Sequence, residues 1–366
     1  MDSIQKIGKL EAAGIIIMIM INQIIINFPN SIITTTGSAA WINVIYISII
    51  AIIFCLLICK LFNPFPASDI LDVSEFLGGK FLKTIIGSIY IIFFVFLAGT
   101  FLKYMANSLE LIYFEQTPIV FLLLLFLIPV VIVGKLGIKS ISQVNLIFMP
   151  ILLISIVITL FSTVKNFIPQ RIYPIMGFGA DKTFIYGLSN IFAFSGFSYV
   201  YFLIPILKNP EDFKKIAVGS IIVSAIYLFL SVICLLMSFP FIAFTDEMLS
   251  VYLLARMIEF GRFFQRIDAI FIFIWILSTL SFLTFTSNLI TSIFKKLTSI
   301  KNSREMTFSF AALVFSVALF IKNTATLNFL QNILFKYLII ALIFIITPLI
   351  LIFANIKFKR RKHYET

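Results

Sequence analysis

The apolar residues of this chain come in long uninterrupted runs, not in the short periodic groups of a soluble core. A run of about 20 such residues crosses a bilayer as a helix. Hydrophobic residues make up 61% of the 366, and at 12% the charged residues are too few to cover a water-facing surface of that size. The alternating segments of a membrane β-barrel are missing. The sequence therefore reads as an all-α membrane protein, a single domain over 1–366 with ten transmembrane helices. The spans fall at about 10–28, 41–62, 81–107, 119–133, 144–164, 183–207, 216–244, 267–294, 307–321 and 334–356. Ser38-Ala39-Ala40 resembles a cleavage site, but the first run is long for a signal peptide and further spans follow.

The net charge of +12 raises the question of nucleic acid, and the position of the basic residues answers it, because they lie between the spans. Nineteen Lys and Arg fall on the side holding both termini and nine on the other. The positive-inside rule then places both termini in the cytoplasm. The run Lys357 to Lys362 suits anionic headgroups, or is a plain solvated tail. Cys55, Cys59 and Cys234 sit inside apolar runs and read as small core residues, not as a disulfide framework or metal site. The one histidine, His363, lies in the tail, so His-based catalysis and metal ligation are not expected in the core. Neither enzyme activity nor a cofactor is expected.

The sixth run, Ser189 to Leu207, carries Ser195, Gly196 and Ser198 in its middle. Such a stretch unwinds to make a binding site, as in the discontinuous helices of transporters, or serves as a small-residue packing notch. The first run is interrupted too, at Asn22-Gln23 and again at Asn27-Phe28-Pro29-Asn30. Ten spans divide into two halves of five, about 1–168 and 169–366, related as an inverted repeat in which spans one and six are equivalent. Interruptions at corresponding positions of two halves point to a transporter-type site. Between spans two and three, Asp69, Asp72 and Glu75 precede Gly78-Gly79, and part of this connection reads as a short amphipathic helix on the membrane surface. Met176-Gly177-Phe178-Gly179 lacks the further residues that complete a phosphate loop.

Several local sequences resemble the amino acid–polyamine–organocation superfamily, whose fold is the LeuT-like five-plus-five repeat. Within it they resemble the B-subunit family of GerA-type spore germinant receptors, the endospore germination permeases. The motifs are K-L-E-A-A-G-I-I-I-M-I-M-I-N-Q (Lys9 to Gln23), G-S-A-A-W-I (Gly37 to Ile42), P-Q-R-I-Y-P-I-M-G-F-G (Pro169 to Gly179), F-A-F-S-G-F-S-Y (Phe192 to Tyr199) and F-Q-R-I-D-A-I-F-I-F-I-W-I (Phe264 to Ile276). The first-span break departs from the superfamily in having Asn, Gln and bulky Ile in place of small residues and Gly. The resemblance implies a germinant receptor subunit in the inner membrane of a spore. It would bind a small, amino-acid-like nutrient in a permease-like core and act with A and C subunits.

Three functions compete: a receptor subunit, an ion- or proton-coupled amino-acid permease, and a structural subunit without a ligand. Intramembrane ionisable residues mark ion and proton paths, and here Glu11, Glu110 and Asp268 all fall near span ends. That leans toward sensing over transport. A Na⁺ site built from span-one carbonyls with Thr286 and Ser287 of span eight is the feature that would favour transport. For an amino-acid-like ligand, backbone amides at the two breaks would hold the carboxylate, with Asn22, Gln23, Ser195, Gly196 and Ser198 contributing. Phe194, Phe197 and Tyr199 would form apolar walls, and Thr100 and Thr284 would face the ligand from spans three and eight. Helix packing is the alternative role for each of these side chains. Arg266 and Asp268, at the mouth of span eight, are two apart and do not share a helix face, so their partners would lie on other helices.

Overall fold

The computed structural model describes residues 6–26, 28–244, 250–257, 267–300, 305–330 and 336–365. Arg266 lies outside the described residues, as do the side chains of Asp268 and His363. The expected spans appear in order. Span one is Lys9–Ile26 followed by Phe28–Thr36; Asn27 between them lies outside the described residues. Spans two to five are Ala40–Phe62, the distal part of Ile70–Ile112, Ile119–Gly134 and Ile138–Ser162. Span six is assembled from short pieces between Asp181 and Ile206. Spans seven, eight and nine are Phe213–Ser238, Ile267–Thr298 and Met306–Phe320, and span ten starts at Lys336 and runs to Glu365. Among the described residues, six helical stretches are long and apolar enough to cross a membrane, and spans four and nine are shorter apolar helices.

The outer surface shows why these helices form in lipid. Exposed apolar side chains recur every three or four residues: Ile45, Ile49, Ile53 and Leu56 on span two, Ile147, Ile151, Ile154 and Ile158 on span five. A helix that turns its isoleucines outward and its polar groups inward is built for a hydrocarbon solvent. The inverted repeat shows in the packing. Span two packs on span seven and span three on span eight, each against its own repeat mate. Span one on seven matches span six on two, span three on nine matches eight on four, and span five on eight matches ten on three.

Several boundaries differ from expectation, each for a local reason. The connection after span two is the helical turn pair ending in Gly78 and Gly79, where Gly79 takes a φ of 69° that other residues rarely adopt. The segment 70–77 is thus a separate short helix, but Ile70, Leu71, Val73 and Ser74 are buried, so it packs into the bundle instead of lying free on the surface. Span seven stops at Ser238, two residues before Pro240, not at Phe244. The polar segment after it includes a helix, Ser250–Arg256, that buries Val251, Leu254 and Ala255 against spans one, five, seven and eight. Span ten continues as helix through the basic tail to Glu365. Gly177, with a φ of +53°, sits where an added Cβ would collide with the Thr36 carbonyl. Its role is to let the 163–180 connection close over the turn between spans one and two.

Spans three and nine meet at Gly99, where a Cβ would lie 2.5 Å from Val317 Cγ1 and 3.1 Å from the Val314 carbonyl oxygen. Backbone cannot yield as a side chain can, and overpacking of this kind costs about 1–3 kcal/mol or more. Gly99→Leu is therefore expected to lower the melting temperature and the amount of membrane-inserted protein. Gly219→Leu, at an exposed glycine with nothing within 4 Å, is expected to change neither. Fluorescence-detected melting of the solubilised chain compares the two.

Candidate functional site

Span six crosses the bundle as a chain of tight turns. Asp181–Ile185 is a π turn, Tyr186–Phe194 a 3₁₀ helix, Phe197–Val200 a single α turn and Ile204–Ile206 again 3₁₀. The expected interruption is present, but in another form. Gly196 has φ −56° and ψ −13°, ordinary right-handed helical values, and Ser195 is similar. The backbone does not unwind there. The amides of Ser195, Ser198 and Tyr199 bond the carbonyls three residues back at 2.9–3.1 Å, so they are not free for a carboxylate in this conformation. Gly196 is needed for close approach instead: a Cβ there would lie 2.6 Å from Met20 Cγ of span one. In span one, Asn22 and Gln23 are helical, and the helix ends only at Ile26.

Around this crossing lies a buried polar layer. The Ser195 hydroxyl donates to Gln23 Oε1, tying span six to span one. Thr279 of span eight donates to Asn22 Oδ1 at 3.4 Å and touches Met105 Sδ of span three at 3.7 Å. The Tyr199 hydroxyl meets Thr286 Oγ1 at 2.7 Å, Ser281 bonds Asn145 of span five, and Ser198 bonds the Ser195 carbonyl at 2.8 Å. Span eight thus sends hydroxyls to spans one, five and six from successive turns. Asn22 Nδ2 and Ser278 Oγ are buried and find no hydrogen-bond partner among the described residues, and such groups cost about 1–3 kcal/mol each.

The other residues singled out in the sequence lie apart from this layer. Thr100 donates to the Phe96 and Leu97 carbonyls and Thr284 to Leu280, each within its own helix. Phe197 packs on Phe54 and Phe344 of spans two and ten, whereas Tyr199 packs on Phe94, Phe282 and Phe285 of spans three and eight. The two aromatic walls therefore face opposite ways. Phe194 is buried. Thr286 and Ser287 diverge as well. Thr286 is engaged with Tyr199 and the Phe282 carbonyl, while Ser287 lines a small cavity with Ala98, Leu127, Val130 and Ala311 among spans three, four and nine. They do not form the Na⁺ site that span-one carbonyls would complete.

Sequence reasoning missed the two polar groups that bind the ends of the site. On the face carrying both termini, Lys296 Nζ lies 2.7 Å from Asp69 Oδ2 and 2.7 Å from Asp72 Oδ2, joining span eight to the helix 70–77. Asp69 also caps that helix through the amides of Leu71 and Asp72. Burial pushes the Asp69 carboxyl up to about 6, against the pull of the Lys296 ammonium. Lys357 of span ten caps the other end of the helix, donating to the Phe76 and Leu77 carbonyls at 2.9 and 2.8 Å. The Ile70 amide reaches the Tyr201 carbonyl of span six, and Ile7 pairs with Ile206 and Lys208. On the opposite face Phe28 and Phe192 stack edge-on at 4.6 Å across spans one and six. Asn43 donates to the Thr183 carbonyl within the π turn and to the Gly187 carbonyl just after it, at 2.8 and 3.0 Å, and accepts from Asn190 at 2.9 Å. A lone Asn in an apolar run is the sequence signal that would have found Asn43 and Asn190. Lys103, counted with the basic residues of the side opposite the termini, is buried within span three.

The tight contact of Gly196 on Met20 separates the two sequence readings of that glycine. Gly196→Leu is expected to lower protein levels together with activity. Met20→Ala, which opens space for the new side chain, is expected to restore a large part of the lost protein. Immunoblots of the membrane fraction from single and double variants measure this. Normal levels in Gly196→Leu alone would mean that the contact carries no stability.

Comparison with known proteins follows the fold. The structure is similar to that of Mhp1, a nucleobase-cation-symport-1 family transporter in a closed conformation with bromovinylhydantoin bound, at TM-score 0.65 and 15% identity, covering 95% of this chain and 78% of that one. It is also similar to MhsT in complex with L-phenylalanine, at TM-score 0.61 and 14% identity, covering 97% and 99%. These likenesses establish a LeuT-like transporter fold. In sequence the chain is similar to spore germination protein B2 of Bacillus subtilis (strain 168), 22% identical over 223 residues, a match that spans only 60% of either chain. It is 21% identical over 275 residues to spore germination protein YndE of the same organism, covering 74% of this chain and 76% of that one. The family model for spore germination proteins matches residues 6–327, and the chain belongs to that spore germination protein family.

Proposed function

We propose that this protein is the B subunit of a spore germinant receptor. It receives a small, amino-acid-like nutrient between spans one, six and eight and passes the change to A and C subunits. It would lie in the spore inner membrane with both termini cytoplasmic. The observation that carries the reading is the buried polar layer at the crossing of spans one and six, where Asn22 Nδ2 finds no partner among the described residues. In a fold that holds solutes near the bilayer midplane, a ligand able to hydrogen-bond would satisfy it. Gln23, Ser195, Ser198 and Tyr199 border the same layer, with Gly196 setting the separation of the two helices. Phe194, Phe197, Thr100 and Thr284 belong to the site only if its two walls rearrange on binding.

A nutrient shifts such a protein only by binding one conformation better than another. In the present one, span six is joined to span one by Ser195–Gln23, and the termini-bearing face is closed by Lys296 on Asp69 and Asp72. A ligand that separates Ser195 from Gln23 would move span six. Through the bond from the Ile70 amide to the Tyr201 carbonyl, that motion reaches the helix 70–77. This is a route to a face where partner subunits could read it.

The test is nutrient-specific germination of spores carrying Asn22→Leu or Gln23→Leu, scored against nutrient concentration with subunit levels followed by immunoblot. The expected result is a rightward shift of the dose response by about tenfold or more, the loss of one or two hydrogen bonds to a ligand, with protein retained. An unchanged dose response in both variants would overturn the reading. The topology has its own test. Tags at either terminus are expected to resist labelling from outside intact cells, and labelling of the C-terminus would reverse the orientation drawn from the basic residues.

A further inference from the structure

The face opposite the termini carries a cation that nothing so far uses. Lys336 opens span ten and is partly buried. Its Nζ lies 3.4 Å from Asn190 Oδ1 and 5.3 Å from the centre of the Phe192 ring. Among the described residues no carboxylate pairs with it. An ammonium has three N–H donors, and here one long bond to a neutral amide and one ring face are what it meets. A cation drawn out of water at the edge of a membrane is costly until an anion joins it.

The neighbouring groups are held in place. Asn43 spends both amide hydrogens on the Thr183 and Gly187 carbonyls, so its Oδ1 must accept, and Asn190 Nδ2 donates to it. That fixes the Asn190 amide with its oxygen toward Lys336. One N–H of Asn190 is used by Asn43, which leaves the second as a donor. Phe192, the ring beneath the ammonium, is also the ring that Phe28 packs against across spans one and six. The cation therefore sits on the seam through which a solute would pass to the buried polar layer.

We propose that Lys336 and Asn190 form a carboxylate-binding site at this mouth, one carboxylate oxygen taking the ammonium and the other the free Asn190 N–H. Charge-assisted bonds of this kind are about twice as strong as neutral ones, so a carboxylate displaces the weak Lys336–Asn190 contact. The site is separate from the layer around Asn22. That the carboxylate belongs to the nutrient rests on the receptor reading; that the site takes a carboxylate does not.

The experiment uses the purified full-length chain and needs no knowledge of the nutrient. Melting temperature is followed as chloride is exchanged for acetate at fixed sodium, and in parallel as zwitterionic glycine is added at constant salt. Wild type and Lys336→Arg are expected to gain stability with acetate, and Lys336→Met to lose apparent acetate affinity about tenfold or more. Asn190→Ala is expected to weaken it as well, and serves if Lys336→Met does not fold. No gain in wild type would overturn the proposal: either nothing binds, or chloride serves as well and the site is a halide site. An equal gain in Lys336→Met would also overturn it. Spores carrying Lys336→Met then separate the two claims. Lost acetate binding with an unchanged nutrient dose response would leave the carboxylate site standing and take it off the nutrient's route.

Discussion

Inside a bilayer a backbone carbonyl or amide has no water to bond, so any departure from the α-helical ladder must be satisfied by protein. This structure departs from that ladder in spans six and ten and meets the requirement differently in each. Through the middle of span six, bonds to the residue three back replace those to the residue four back, so the amides stay paired. At the π turn 181–185 and just past it, Asn43 of span two donates to the Thr183 and Gly187 carbonyls. In span ten the π stretch Ile340–Ile346 leaves the Ile343 carbonyl to accept from the Tyr201 hydroxyl at 2.7 Å, and Thr347 bonds back to Leu342. The irregular helices are the repeat mates of spans one and five, and the Tyr201 hydroxyl joins one to the other.

The inverted repeat gives this arrangement a second level. Helix pairs related by the repeat make equivalent contacts, and even the polar links correspond. Ser281 to Asn145 joins spans eight and five, and Tyr90 to Thr347, at 2.7 Å, joins spans three and ten. Spans three and eight are thus each anchored by a buried hydrogen bond to the fifth helix of the opposite half. Spans one and six are held together at mid-depth by the Ser195–Gln23 bond and the close approach of Gly196 to Met20, and toward their ends by Phe28 on Phe192 and by the backbone pairing of Ile7 with Ile206 and Lys208.

The two ends of that pair close by different chemistry. On the termini side the closure is ionic, with Lys296 between two aspartates and Lys357 on helix-end carbonyls. On the other side it is aromatic and amide-based, with Phe28 on Phe192 and Asn43 on Asn190. Ion pairs at a partly wet surface weaken with salt and proton concentration, whereas ring packing does not.

The run lengths, the outward isoleucines, the count of ten spans and the equivalence of spans one and six were legible in the chain, because in lipid helix length and polarity are dictated by the solvent. The polar residues of the layer stand out in the apolar runs: Gln23 meets Ser195, and Asn22 meets Thr279. Other features were decided only when the helices packed. Whether Gly196 frees the backbone or admits a neighbour depends on Met20, 176 positions earlier in the chain. Whether Thr100 or Thr284 faces a ligand depends on a hydroxyl choosing its own helix carbonyl, a choice that costs nothing locally. Phe197 and Tyr199, two residues apart, face opposite walls because a helical turn separates them by roughly 200°. The pairing of Lys296 with Asp69 joins charges 227 positions apart, which no local pattern encodes. Solvent chose the elements, and contacts between distant segments chose which of their polar groups remain unspent.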